Sequence, residues 1–209
     1  MPAARIIPRP SNAEGSRASG PNRFPFVDVI PQSGRVRSRS LRPLGPHPAR
    51  ERACRTTSPE QTRRLGRALA ARLCPGDLIC LRGALGAGKT TLIQGLAEGL
   101  GVRDWVTSPS FTIVHQHEGR VPLYHLDLYR LGPGDLREIG IEEILAGRAV
   151  VAVEWAERLP QDLWDDALEI DMRFDECCDD LRHIALRARG PRGERILEDL
   201  AICHASSGD

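Results

Sequence analysis

Eight consecutive residues, Gly83-Ala84-Leu85-Gly86-Ala87-Gly88-Lys89-Thr90, match the pattern G-x-x-x-x-G-K-[ST]. The glycines let successive backbone N–H groups turn toward a phosphate chain, and a helix that starts there adds its partial positive charge. Lys89 is placed to reach β- and γ-phosphates and the Thr90 hydroxyl to hold Mg²⁺, while Gly83, Leu85, Gly86, Ala87, Gly88 and Thr91 complete the cradle. Lys89 is also the single Lys among 29 basic residues, the rest being Arg. A compact ammonium and a planar guanidinium are not interchangeable, so a lone surviving Lys suggests chemistry that Arg does not supply.

A phosphate loop needs a carboxylate at the end of a strand, to hold the metal or orient water. Glu154 ends the apolar run Ala149-Val150-Val151-Ala152-Val153, and Asp127 ends Tyr124-His125-Leu126. Both would sit at the carboxyl edge of a parallel sheet, where open α/β folds place their ligands. Ser108-Pro109-Ser110-Phe111-Thr112 is a polar loop in the place of a γ-phosphate-sensing switch, with an ordinary turn as the alternative. Trp155 is equally suited to the core or to the wall of the pocket. His115 and His117 share a strand face but lack a third ligand, so they read as a solvated face.

The elements that must carry these residues follow from pattern. Ser58-Pro59-Glu60-Gln61 has the form of a capping box, so order is expected to begin near Ser58, with Leu65, Leu69 and Leu73 on the inner side of a helix. Residues 77–82 read as a buried strand, and a helix is expected from Lys89 to Leu100. Strands are expected at 121–126, 149–153, 167–172 and 182–187. Helices are expected at 136–145, with Ile139, Ile144 and Leu145 inward, and at 195–202. Strands alternating with helices argue a single P-loop NTPase-like α/β domain over 51–209, with a mainly parallel central sheet flanked by helices.

Composition narrows the function classes. Residues 1–50 hold nine Arg against Glu14 and Asp28, with nine of the 16 prolines, and are expected to form a disordered leader. A transit peptide and a basic RNA-touching arm are the other readings of that segment. The remaining chain has a net charge of −6, a poor footprint for independent nucleic-acid binding. Aromatics at 4% argue against a single-strand stacking platform. No apolar run approaches the roughly 20 residues of a membrane span. The six cysteines form no C-x-x-C pair and follow no secretory segment, which points to reduced thiols in the cytoplasm. With no N-K-x-D motif, guanine selection of the Ras type is excluded. A small-molecule kinase with a lid drawn from Arg130, Arg137 and Arg148 is the rival enzyme, and a non-hydrolysing nucleotide switch the rival of another class.

Five segments in order carry a resemblance: LRGALGAGKTTLIQGLAEGLG, SPSFTIV, YHLDLYRL, DLREIGIEEIL and VAVEWAERL. Together, over about residues 56–200, they resemble the TsaE family of P-loop ATPases, required in bacteria for threonylcarbamoyl modification of the adenosine next to the tRNA anticodon. The resemblance implies ATP and Mg²⁺ as cofactors and a complex with TsaB-like and TsaD-like proteins, through which tRNA is met only indirectly. It implies that TsaD transfers a threonylcarbamoyl group from an adenylate made elsewhere, and that hydrolysis by TsaE supports repeated cycles. Carried over by position, Lys89, Asp127 and Glu154 are the catalytic candidates, with Thr90 and Glu154 on the metal and Asp127 on water or the switch. Thr57 and Ser58, just before the first helix, are expected on the adenine side. Two positions depart from the family pattern: Ala84 replaces the Asp of GDLGAGKT, and Ala156 the Pro of EWP.

Overall fold

In the computed structural model, residues 51–132 and 135–200 are described, apart from the side chains of Arg137 and Asp199. The expected leader over 1–50 and Cys203 lie outside the described residues. The strands are β1 Glu51–Thr56, β2 Leu78–Arg82, β3 Val114–His117, β4 Leu123–Asp127, β5 Val150–Glu154, β6 Leu168–Phe174 and β7 Arg182–Ala188. The helices are α1 Pro59–Ala70, α2 Lys89–Gly99, α3 Asp135–Glu138, α4 Ile141–Leu145 and α5 Gly190–Asp199, with 3-10 turns at Ala156–Arg158 and Gln161–Trp164.

One sheet runs in the order β1-β7-β6-β2-β5-β4-β3. Its centre, β6-β2-β5-β4, is parallel, and the pairs β1–β7, β6–β7 and β3–β4 are antiparallel. The expected α/β class with a parallel centre is borne out. Alternate side chains of the central strands enter two cores. Ile79, Leu81, Val150 and Ala152 pack with α1 and α2 residues such as Leu69 and Leu92, while Leu78, Cys80, Val151 and Val153 pack with Ile141, Leu159 and Trp164 on the other side. Burial on both faces is why AVVAV reads as a continuous apolar run.

α1 begins as the sequence indicates. Ser58 caps it by accepting from the Gln61 N–H at 3.2 Å, but Gln61 Oε1 reaches back to the Thr57 N–H at 2.8 Å rather than to that of the cap. α1 and α2 lie so close that Cβ atoms added at Gly66 and Gly95 would meet Leu92 O at 2.3 Å and Arg63 O at 2.0 Å. At the strand's start, Asp77 receives both Arg192 Nε and NH2 at 2.7 Å, tying α5 to the sheet.

Four expectations need correction. A strand, β1, already runs over Glu51–Thr56 ahead of Ser58; it is an edge strand that buries only Cys54 and Thr56 and so carries little apolar signal. The helix expected at 136–145 is two short ones, broken where Gly140 takes φ 64°; Ile139, Ile144 and Leu145 are partly buried against the second core, but Ile141 is the residue it buries. The last helix starts at Gly190, five residues early, with Pro191 in its first turn. His117 is buried rather than solvated, because antiparallel β3 folds back on β4 and sets it near His125.

Candidate phosphate-binding site

The loop between β2 and α2 is held in a shape that a side chain at its glycines would forbid. Gly83 has φ 136°, and a Cβ there would lie 2.2 Å from Met172 O on β6. Gly88 caps α2 at φ 100°, leaving the first N–H groups of an eleven-residue helix open toward the loop. Lys89, 3% exposed, donates to Gly83 O at 2.7 Å and Ala84 O at 3.0 Å, and its Nζ stands 4.2 Å from the Trp155 ring centroid. Burial lowers its pKa below the usual lysine value, against the pull of Glu154, Glu157 and Asp127.

The two candidate carboxylates come together. Asp127 and Glu154 are register partners at the ends of parallel β4 and β5, both nearly buried. Glu154 Oε1 accepts from Thr90 Oγ1 at 2.7 Å and is 3.0 Å from His125 Nε2. Asp127 Oδ2 accepts from Ser108 Oγ at 2.5 Å and Ser110 Oγ at 2.6 Å, and Oδ1 from the Tyr129 N–H at 3.0 Å. Burial opposes ionisation of Asp127, but the two hydroxyls and the backbone N–H outweigh it and hold the carboxyl below its ordinary value. The polar loop 108–112 is thereby hydrogen-bonded to Asp127.

These groups enclose a cleft of about 240 Å³ lined by Leu85, Gly86, Gly88, Lys89, Thr90, Thr91, Ser108, Ser110, Asp127, Tyr129, Glu154 and Trp155. Trp155 stacks on Tyr129 at 4.8 Å and also packs on the second core, serving both of its expected roles. Trp155 and Ile113 are the non-glycine residues with positive φ among those described, at 60° and 67°. Each costs on the order of 1–3 kcal/mol, and both flank the cleft, where such strain characteristically collects.

Thr57 and Ser58 do not line this cleft; they close the start of α1. Of the arginines weighed for a lid, Arg130 lies over Phe111 at 4.3 Å and Arg148 is exposed, so neither enters it. His125 is the site residue that pattern reading passed over. It is fully buried beside Glu154 with Nδ1 unpartnered, and its position two before Asp127 on an alternating strand was the available signal. The oxygen donors of Thr90, Glu154 and Asp127 suit a hard divalent cation such as Mg²⁺. No group of three or more His, Cys, Asp and Glu among the described residues forms a separate metal cage.

A larger groove, about 350 Å³, is lined by residues of β1, β7 and β6. Most of its charges pair off, Arg173 with Asp171 and Arg187 with Glu51, both at 3.0 Å, so it presents no convergent set of free groups.

A parallel-centred sheet whose middle strand feeds a glycine loop and a helix, with two acids abreast on the next two strands to one side, defines a P-loop-like α/β domain. More narrowly, the chain belongs to the family of threonylcarbamoyl adenosine biosynthesis protein TsaE, whose family model matches residues 56–183. It is 40% identical over 148 residues to the tRNA threonylcarbamoyladenosine biosynthesis protein TsaE of Bacillus subtilis, covering 70% of this chain and 92% of that protein. The Streptomyces coelicolor protein of the same name is 43% identical over 137 residues, covering 62% and 92%. The crystal structure of YdiB from Bacillus subtilis superposes with a TM-score of 0.63 at 38% identity, covering 75% of this chain and 97% of that one.

Proposed function

We propose that this protein binds ATP with Mg²⁺ in the cleft and hydrolyses it as a subunit of the machinery that places threonylcarbamoyl on tRNA. In this reading it works in the cytoplasm with TsaB-like and TsaD-like partners and meets tRNA only through them. The observation that carries the reading is the pairing of Asp127 and Glu154 on adjacent strands, facing Lys89 and Thr90 across one cleft.

The residues divide the work. Backbone N–H groups of the loop and the α2 terminus cradle the phosphates, and Lys89 exchanges its two loop carbonyls for phosphoryl oxygens. Thr90 can present an oxygen lone pair to a cation while its O–H keeps donating to Glu154 Oε1. Thr90 and Glu154 would hold Mg²⁺, which would neutralise charge on the phosphoryl oxygens. Asp127, ionised and tied to Ser108 and Ser110, positions water and couples the 108–112 loop to the terminal phosphate. Thr57 and Ser58 take the adenine side. The five described cysteines are all free, as reduced thiols in the cytoplasm would be.

The test is steady-state ATP hydrolysis by the full chain, alone and with TsaB- and TsaD-like proteins from the same source. A low rate alone that rises several-fold in the complex is expected, with Glu154→Gln lowering it about a hundredfold while ATP still binds. Tight ATP binding with no turnover in the complex would favour the switch, a reading that Ala84 keeps open because the family pattern has a carboxylate there. Turnover restored by a metabolite alone would favour a kinase.

A further inference from the structure

Glu154 is gripped on one oxygen. Its Oε1 accepts from Thr90 Oγ1 at 2.7 Å and lies 3.0 Å from His125 Nε2. Among the described residues no hydrogen bond falls on Oε2, so the second oxygen is left to the cleft that Glu154 lines. A glutamate side chain turns about several bonds, and a single contact would let its carboxyl group swing. Two holders from different elements, α2 and β4, restrain it.

The sheet brings the imidazole to that place. His125 lies opposite Ala152 in the parallel pairing of β4 with β5, and Glu154 is the next residue of β5 on the same face. The small Ala152 side chain lets the ring reach along the sheet to the carboxylate. His125 is fully buried, with His115 opposite it on β3 and the His117 ring 6.5 Å away. Its Nδ1 has no partner, and neither has His117 Nε2. Because Glu154 Oε1 accepts, Nε2 carries the proton of the neutral ring, and Nδ1 is the bare nitrogen. An imidazole kept only to fill space buries two polar atoms where an apolar side chain would bury none. The hydrogen bond that offsets this is the one to Glu154.

We propose that His125 is a positioning residue, which through its Nε2–H orients Glu154 so that the free carboxylate oxygen faces the place where the divalent cation of the nucleotide would bind. This rests on the ATP-binding reading and deepens it. The outer partners of a ligating carboxylate set its direction, and losing one weakens metal affinity or activity by about 10–100-fold. One strand, β4, then supports both acids of the cleft: Asp127 as its own last residue, and Glu154 through the imidazole two residues earlier.

Two measurements on the full chain test this. Nitrogen NMR of the imidazoles without nucleotide reads the tautomer of His125. Calorimetry reads ATP affinity across a range of free Mg²⁺ for the native sequence, His125→Gln and His125→Asn. The glutamine amide nitrogen stands in for Nε2, whereas that of asparagine falls near the Nδ1 position and stops short of Glu154. The native ring is expected to carry its proton on Nε2; a bare Nε2 overturns the proposal whether or not either variant folds. His125→Asn is expected to bind ATP without the ion within about twofold of the native chain, but to need about tenfold more Mg²⁺ for the same gain in affinity. His125→Gln is expected to recover most of that loss. Equal weakening with and without Mg²⁺, or the same loss in both variants, would show that the ring serves packing, and overturns the proposal. A native affinity indifferent to Mg²⁺, or an unshifted Mg²⁺ dependence in His125→Asn, overturns it while the ATP-binding reading stands. A native chain that binds no ATP under any of these conditions loses that reading and the proposal with it.

Discussion

Asp127 shows how a single carboxylate is held ready. Its carboxyl lies below the ordinary 3.8 because Ser108, Ser110 and the Tyr129 N–H overcome the penalty of burial. In the pH interval between the folded and unfolded values the folded chain binds fewer protons, so stability rises with pH there. The contribution is complete above the unfolded value and fades as pH falls through the lower folded one. Urea unfolding of the native protein and of Asp127→Asn should therefore give a difference that is constant from about pH 7 to 5 and shrinks below about pH 4. A difference that grew on acidification would contradict the hydrogen bonding described. At this scale the phosphate loop, Asp127 and Glu154 were readable from residue type and spacing alone. His125 was legible only in part: its place two before Asp127 puts both on one strand face, but the pattern does not show that it meets Glu154.

Among the elements, α1 and α2 matter most to the cleft, since α2 holds Lys89 and Thr90 at its first positions. Their close approach depends on Gly66 and Gly95, with Gly99 facing Ala70. Gly95→Ala would drive its methyl into the Arg63 carbonyl, so the helices must separate. A thermal melt should show a loss of about 1–3 kcal/mol, and nucleotide affinity should fall with it as the loop shifts. An unchanged melting temperature would mean that the helices can slide apart freely. The central strands were legible because both faces are apolar, and α1 because its cap and Leu65, Leu69 and Leu73 agree. β1 escaped because an edge strand with one small buried face looks like loop. The split at Gly140 escaped because Ile139, Ile144 and Leu145 mimic one continuous helix.

Across the whole molecule, burial sorts chemically identical groups into reactive and silent ones. Cys54 is pushed up to about 12 by burial, and Cys80 is raised further by burial and by Glu169. Cys74, Cys177 and Cys178 are exposed. A disulfide-exchange dye should label those three rapidly and reach Cys54 and Cys80 only on unfolding, which a time course with and without denaturant would read out. Rapid labelling of Cys54 would mean that the β1–β7 edge opens in the native state, and rapid labelling of Cys80 that the central sheet does. The overall class was readable from alternating strands and helices, whereas the antiparallel edges were not, since local pattern does not record strand direction.

The pairing of Lys89 Nζ with Gly83 O and Ala84 O has a practical side. Because every other basic residue is Arg, this is the one primary amine carried by a side chain anywhere in the protein. An amine-selective acylating reagent has a single side-chain target, and in the described state that target is buried and engaged. One mass increment beyond the α-amine would thus report that the loop has let go of its lysine, giving a site-specific readout of loop opening in a protein that needs no engineered label.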